Sequence, residues 1–442
     1  MNKKILIVLS IFLMVFSVVA FGESNQVKFT DVNRLMGVNY FLPDNWETLV
    51  DGTKEISHFN YGALSYDPAT VMNGQIFEDL TGIRVNQLVV AFDDMAQKIT
   101  TTILSKSPNP DMFQIERNYV ELAKAGMFVN LDDLWTDELW SQYANWVKED
   151  IDVDGHYYAV PQLGQQWAFY YRPSLLKAAG YNNPPKTKDE LIKIAQALTH
   201  EDIYGYGFAA GDNFSAYESF LSILYMQDGR LLNNGKVEVN TAQTKKALQF
   251  LVDMIYKYKV VPMSCVEFKE SELGDMFVGG KLAMMGQWDY QYKRAINPEV
   301  SNVSDDVGFT VPPSWDSTTE GKTLADYEIL AINKFSKNIG ACKLFCDYMR
   351  SKQAHTNEFL VEGNNTLVKS VYVLTQAKAN VDPLYLKTHV LLADKSRREN
   401  YENMSAIVDI IGGAVRIALT QEKSIDQVLL DAQKAIDKKM AK

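Results

Sequence analysis

The 442-residue chain carries 44 basic and 55 acidic residues, a formal charge of −11. A surface this acidic repels phosphate backbones and argues against nucleic acid as a partner. At roughly 150 residues per domain, the length predicts two or three domains with a large core.

The chain opens MNKKILIVLSIFLMVFSVVAFGES, with Lys3 and Lys4 ahead of an apolar run that ends in small residues at Ala20 and Gly22. This is the three-part layout of a secretory signal peptide, and the run is short for a stable membrane span. Residues 1–22 are therefore expected to be a leader cleaved after Gly22, which removes two lysines and takes the charge from −11 to −13. The mature protein is expected in the periplasm or secreted. No cysteine lies near the cleavage point, so no lipid anchor is expected.

From Lys54 the pattern alternates. EISHFNYGAL reads as a strand, VMNGQIFEDL as an amphipathic helix with Val71, Ile76, Phe77 and Leu80 inward, and IRVNQLVVAF as a strand, with Gly82 supplying the left-handed helix terminator. MAQKITTTILSK follows as a helix and PNPDMFQI as a short buried strand. Such alternation predicts a mostly parallel sheet flanked by helices.

The stretch DIDVDGHYYAVPQLGQQWAFYYR, 150–172, begins like a calcium loop, but its twelfth position is Pro161 where a bidentate glutamate belongs. Asp154-Gly155 between two β-prone runs instead predicts a hairpin turn. Beyond it, PPKTKDELIKIAQAL carries a capping box, Thr187 with Glu190, and an apolar stripe of Leu191, Ile194, Ala195 and Leu198. Ser424 and Gln427 open the last helix in the same way. Of the three cysteines, Cys265, Cys342 and Cys346, the last two sit at i, i+4 spacing, where parallel side chains seldom reach disulfide geometry, so this pair is expected as buried thiols in a core helix.

Catalytic motifs are missing. There is no G-x-S-x-G and no H-E-x-x-H; the histidines stand at 58, 156, 200, 355 and 389. GYGFAAG and GDMFVGGK are near misses to nucleotide-binding loops. Paired carboxylates such as Asp289 and Glu328 need no motif, but with 55 acids such pairs are easily named. No catalytic residue, metal or cofactor is assigned.

In order along the chain, FEDLTGIRV, SPNPDMF, LAKAGMFVNLDDLW, DGHYYAVP, FYYRPSLLKAAGYNNPPKTKDEL, FVGGKLAMMGQW and VGFTVPP resemble the bacterial extracellular solute-binding proteins of the sugar-binding family 1, relatives of the maltose-binding protein, over roughly residues 54–442. The resemblance implies a periplasmic binding protein-like fold. Two α/β lobes would hold a ligand cleft between them and be joined by multiple crossing segments, with residues 23–163 plus 314–372 as the N-terminal lobe and 164–313 plus 373–442 as the C-terminal lobe. It also implies a monomer that captures a carbohydrate by hinge closure and delivers it to the permease subunits of an ABC transporter. Residues 23–53 are an extension beyond the resemblance. ADYEILAI replaces the small glycines of relatives and turns Asp326 and Tyr327 toward the cleft; SAIVDIIGGAV lacks a stacking ring except Tyr401 upstream, which argues against a maltodextrin.

A sugar has hydroxyl-lined edges and C–H faces, so its site needs planar polar side chains and aromatic rings. By resemblance, Trp288 occupies a stacking position, with Asp289 and Tyr290 following as edge ligands. Gln165 occupies a ligand-binding position and, on an alternating strand, shares a face with Trp167 and Phe169. Asn118 and Tyr119 stand at the carboxyl end of a strand, where open α/β sheets bind ligands; Ser65, Tyr66 and Asp67 are their equivalents in the first loop. Phe214 and Tyr217 form a far wall or simply core. Arg117, Arg172 and His58 leave room for an acidic sugar, although Arg172 equally suits a surface ion pair. Two other function classes stay open: a secreted carbohydrate-active lyase or hydrolase, told apart by turnover, and a binding protein for a peptide or polyamine.

Overall fold

A computed structural model of the protein describes residues 38–60, 68–115, 118–200, 202–362, 366–372 and 382–441. The expected leader, Ser65, Tyr66, Asp67 and Arg117 lie outside the described residues.

The alternating start of the chain folds as its periodicity predicts. β1 (Glu55–Asn60), α1 (Pro68–Thr81), β2 (Arg84–Val89), α2 (Phe92–Leu104) and β3 (Met112–Ile115) form a parallel unit in which β1 pairs with both β2 and β3. Gly82 closes α1 at φ 71°, a backbone that favours glycine. A short helix α3 (Tyr119–Lys124) follows, then the hairpin β4 (Asp152–Val153) and β5 (His156–Tyr157). Both hairpin turn residues have positive φ, 55° at Asp154 and 85° at Gly155, and Asp152 accepts a hydrogen bond from the Gly155 N–H at 2.8 Å. The acids of the calcium-like stretch diverge: Asp150 is buried in an ion pair, Asp152 caps the turn, and Asp154 approaches Lys124 at 3.7 Å.

Two long strands organise the rest. β6 (Ala159–Tyr171) has 13 residues and so spans about 43 Å at about 3.3 Å per residue, enough to run through two sheets. Downstream come α4 (Lys188–Leu198), α5 (Asn213–Met226), the small hairpin β7–β8 (Leu232–Asn233, Lys236–Val237), α6 (Ala242–Tyr256), α7 (Glu270–Val278), β9 (Met284–Trp288) and β10 (Gly308–Thr310). Then follow β11 (Thr323–Ile332), α8 (Ile339–Met349), α9 (Pro383–Lys395), β12 (Ser396–Arg397), α10 (Met404–Leu419) and α11 (Ile425–Met440). Thr187 and Ser424 cap α4 and α11 as the capping pattern predicts. No described helix is long and apolar enough to cross a membrane.

The first half of β6 pairs antiparallel with β11, which pairs on its other edge with β3; the second half pairs with β9 and β10. The β6–β11 register slips between Glu328 and Ile329, so that Gln162 bulges beside Pro161, a residue that has no N–H to give to the ladder. The result is two α/β lobes joined by crossing strands. One core gathers Ile56, Phe77, Phe113, Ile329 and Phe345; another gathers Trp167, Phe169, Phe220, Leu251 and Ile411. Residues 314–322, which the sequence division assigned to the N-terminal lobe, pack with the second core: Ser314 bridges to Thr187, and Trp315 meets Phe250 edge-on.

All three cysteines are free and buried. The part of the N-terminal extension that is described, 38–53, straps across α8. Tyr40 donates through its hydroxyl to Asp347 Oδ2 (2.5 Å), and Gly340 leaves room for the Leu49 carbonyl, which a Cβ would meet at 1.7 Å.

Candidate ligand-binding site

Where β6 passes from one lobe to the other, Gly164 lies opposite Tyr327. Beside this crossing, on the side of the second core, is a pocket with about 410 Å³ of empty volume, part of which is open solvent. Its apolar wall comes from Phe214, Tyr217 and Leu221 on α5, Met404 and Val408 on α10, and Trp288 at the end of β9. Its polar wall comes from Asp326 on β11 and from Arg397, Arg398 and Glu399 beyond α9.

The tryptophan is held from behind. Trp167 lies directly across the ladder from Trp288 and meets it edge to face at 5.4 Å, an arrangement worth about 1 kcal/mol beyond burial. Gly286 makes this possible, because a Cβ there would sit 2.5 Å from Trp167 Nε1. Tyr217 reaches the buried Tyr401 hydroxyl, and burial raises both phenols well above their ordinary range, so both stay protonated.

Arg397, Arg398 and Glu399 each have partners. Arg397 pairs with Asp228, donates to the Gly229 carbonyl at 2.9 Å and lies 5.3 Å over the Tyr225 ring. Glu399 accepts from the Leu231 N–H at 2.9 Å and the Leu232 N–H at 3.3 Å, and burial holds its pKa above the ordinary carboxylate value. Arg398 donates from Nε to Asp326 Oδ1 at 2.7 Å, pairs through Nη1 with Asp150, and stacks 4.7 Å from the Tyr327 ring. Asp326 Oδ1 also accepts from the Tyr327 N–H at 2.7 Å. Its Oδ2 has no partner among the described residues, and the side chain remains 20 % exposed. Gln165, the cross-strand neighbour of Asp326, is half-buried, and its amide makes no hydrogen bond to another described residue.

Of the residues expected from sequence, Trp288, Asp326, Phe214 and Tyr217 line this pocket, and Gln165 flanks it. Others sit elsewhere. Trp167 backs Trp288 instead of facing the pocket, and Phe169 stacks on Tyr206. Tyr327 does not face the pocket with Asp326: successive strand residues point to opposite faces, and its hydroxyl donates to Asp150 Oδ2 at 2.5 Å. Asp289 likewise turns away from Trp288 into a sealed compartment 3.6 Å from His389 Nδ1, where burial pushes its pKa well up and that of His389 down to about 3. Tyr290 is partly exposed outside the pocket lining. Asn118 takes the left-handed backbone that opens α3, and Tyr119 is buried, donating to the Ile151 carbonyl at 3.0 Å. Of the groups considered for an acidic sugar, His58 is buried against Phe345, and Arg172 pairs with Asp306 at 3.1 Å. Sequence reasoning missed Glu218, Tyr225 and the SRREN run, whose charges look solvated in one dimension but are buried against acids and carbonyls from distant segments.

A two-lobed α/β protein with an aromatic and polar pocket at the strands that join the lobes is built as a binding protein. The chain belongs to the bacterial extracellular solute-binding protein family, whose model matches residues 67–356. It is 27% identical over 235 residues to a probable ABC transporter-binding protein of Deinococcus radiodurans, covering 51% of this chain and 55% of that one. It is 26% identical over 282 residues to the diacetylchitobiose-binding protein DasA of Streptomyces coelicolor, covering 61% and 63%. The matches thus span 55% and 63% of the length of these two relatives. Among solved structures, maltose-bound MalE3 of T. maritima superposes with a TM-score of 0.75 at 23% identity, covering 87% of this chain and 99% of that one.

Proposed function

We propose that the protein is the extracytoplasmic binding component of an ABC importer, and that it captures a neutral mono- or short oligosaccharide in the pocket beside the β6–β11 crossing. The observation that carries this reading is that Trp288, 4 % exposed, and Asp326 line one pocket, where Asp326 Oδ2 and the amide of its cross-strand neighbour Gln165 make no hydrogen bond to another described residue. A pyranose needs such a set: a ring for its C–H face, and a carboxylate and an amide for adjacent hydroxyls. Among the described pocket residues both arginines are already paired with carboxylates, which favours a neutral sugar over a uronate.

Ligand bridging both lobes selects the closed form from an open–closed equilibrium. A micromolar dissociation constant corresponds to about −8.2 kcal/mol, within reach of one desolvated stacking contact and a few charge-assisted hydrogen bonds. In this reading the lobe boundary falls at Gly164 on β6 and at Tyr327 on β11, the leader is removed after Gly22, and the mature chain works as a monomer handing its sugar to membrane permease subunits.

The test is a thermal-shift screen against D-glucose, maltose, diacetylchitobiose, galacturonate and spermidine. A ligand that binds only the folded state raises the melting temperature. A neutral sugar that raises it and is recovered unchanged supports the proposal. A response confined to spermidine or galacturonate, or turnover of the bound sugar, overturns it in favour of a non-sugar or acidic-sugar binder or an enzyme.

A further inference from the structure

Asp150 lies in the last turn of the helix Asn145–Ile151, whose Ile151 carbonyl accepts from Tyr119 beside the β1–β3 unit, whereas Arg398 lies between β12 and Tyr401, whose hydroxyl meets that of Tyr217 on α5. The contact between them therefore runs from one lobe to the other. It is buried on both sides, each side chain being 5 % exposed, and it is reinforced by Asn400 Nδ2 donating to the Asp150 carbonyl at 3.2 Å and by Tyr327 Oη donating to the Asp150 carboxylate. The same guanidinium donates from Nε to Asp326 Oδ1, which leaves Oδ2 without a partner among the described residues. One planar fork thus fixes the rotation of a pocket carboxylate and grips the opposite lobe. A flexible point charge such as lysine cannot hold both directions at once.

We propose that Arg398 is a positioning residue: it aims Asp326 Oδ2 at the ligand's hydroxyls and ties that aim to lobe closure through Asp150. The inference rests on the sugar-binding reading above and adds to it a residue, Asp150, that lines no wall of the pocket. Because Asp150 and Asp326 share one guanidinium, their contributions to binding are coupled rather than additive.

A double-mutant cycle reads this coupling. Affinities for D-glucose, maltose and diacetylchitobiose are measured by calorimetry on the full mature chain for wild type, Asp150→Asn, Asp326→Asn and the double variant, with small-angle scattering of each unliganded protein. The expected result is that Asp150→Asn weakens binding about tenfold, that the double variant is no weaker than Asp326→Asn alone, and that Asp150→Asn enlarges the unliganded radius of gyration. Arg398→Lys should reproduce the loss although its charge is kept. Additive losses, an unchanged affinity in Asp150→Asn, or an unchanged radius overturns the proposal. If Asp150→Asn does not fold, Tyr327→Phe removes one hydrogen bond to the same carboxylate without altering charge, and is judged by the same criteria. A wild type that binds none of the three sugars refutes the functional reading instead, and the scattering comparison still decides whether Arg398 ties the lobes.

Discussion

The pocket's apolar wall depends on two helices lying unusually close, and two adjacent glycines test that closeness with opposite signs. On α10, a Cβ added at Gly412 would sit 1.8 Å from the Asn213 carbonyl oxygen at the start of α5, a backbone atom that cannot rotate away. A Cβ at Gly413 would meet only Asn213 Oδ1, at 3.8 Å, an ordinary contact. Relieving the first clash means parting the helices by roughly 1 Å or more in a close-packed interior, an overpacking cost of about 3 kcal/mol, from which alanine's better helix propensity returns about 0.8 kcal/mol. Gly412→Ala should therefore lose about 2 kcal/mol of stability, whereas Gly413→Ala should gain ~0.5–1 kcal/mol. Urea unfolding read by circular dichroism measures both, with a shifted midpoint and an unchanged slope as the signature. Phe214 and Tyr217 ride on the displaced end of α5, so Gly412→Ala should also weaken sugar binding. If the two variants are equally stable, or if Gly412→Ala is the more stable one, the close crossing of α5 and α10 is refuted.

Two other outcomes follow from the same geometry. Trp288→Ala should weaken sugar binding at least about tenfold while the protein remains folded, because it removes the stacking face; unchanged affinity by calorimetry would show that the ligand lies elsewhere. Burial holds His58 and His355 at about 3, below the ordinary 6.5, so between those values the unfolded chain binds more protons. Their contribution is complete above pH 6.5 and drains away as pH falls toward 3, at about 1.4 kcal/mol per pH unit for each proton taken up. His389 shares that sign, but the neighbouring Asp289, with its raised pKa, has the opposite one, so the pair offsets in part. His355→Gln should flatten the dependence of stability on pH between 7 and 5 by about one proton, and an unaltered slope would mean that His355 is not buried neutral.

What could be read in one dimension was whatever is decided by near neighbours. The parallel unit from β1 to β3, the Asp154-Gly155 turn, the caps at Thr187 and Ser424 and the left-handed Gly82 each depend on residues within a few positions, and each is present. The pocket was legible only where one residue type carries its own chemistry, as Trp288 does. Neighbouring pairs separate: strand alternation sends Asp326 to the pocket and Tyr327 to Asp150, and the turn that begins just after β9 leaves Trp288 at the pocket and carries Asp289 to His389. The SRREN run was invisible for a different reason. Burying Arg397 and Arg398 costs several kcal/mol each unless acids meet them, and those acids, Asp228, Asp150 and Asp326, lie far away in sequence. A charge run that looks like solvated surface is, in this fold, buried: Arg397 and Glu399 hold the segment around 228–232, while Arg398 and Asn400 reach Asp150, and only the chain's tertiary path brings these partners together.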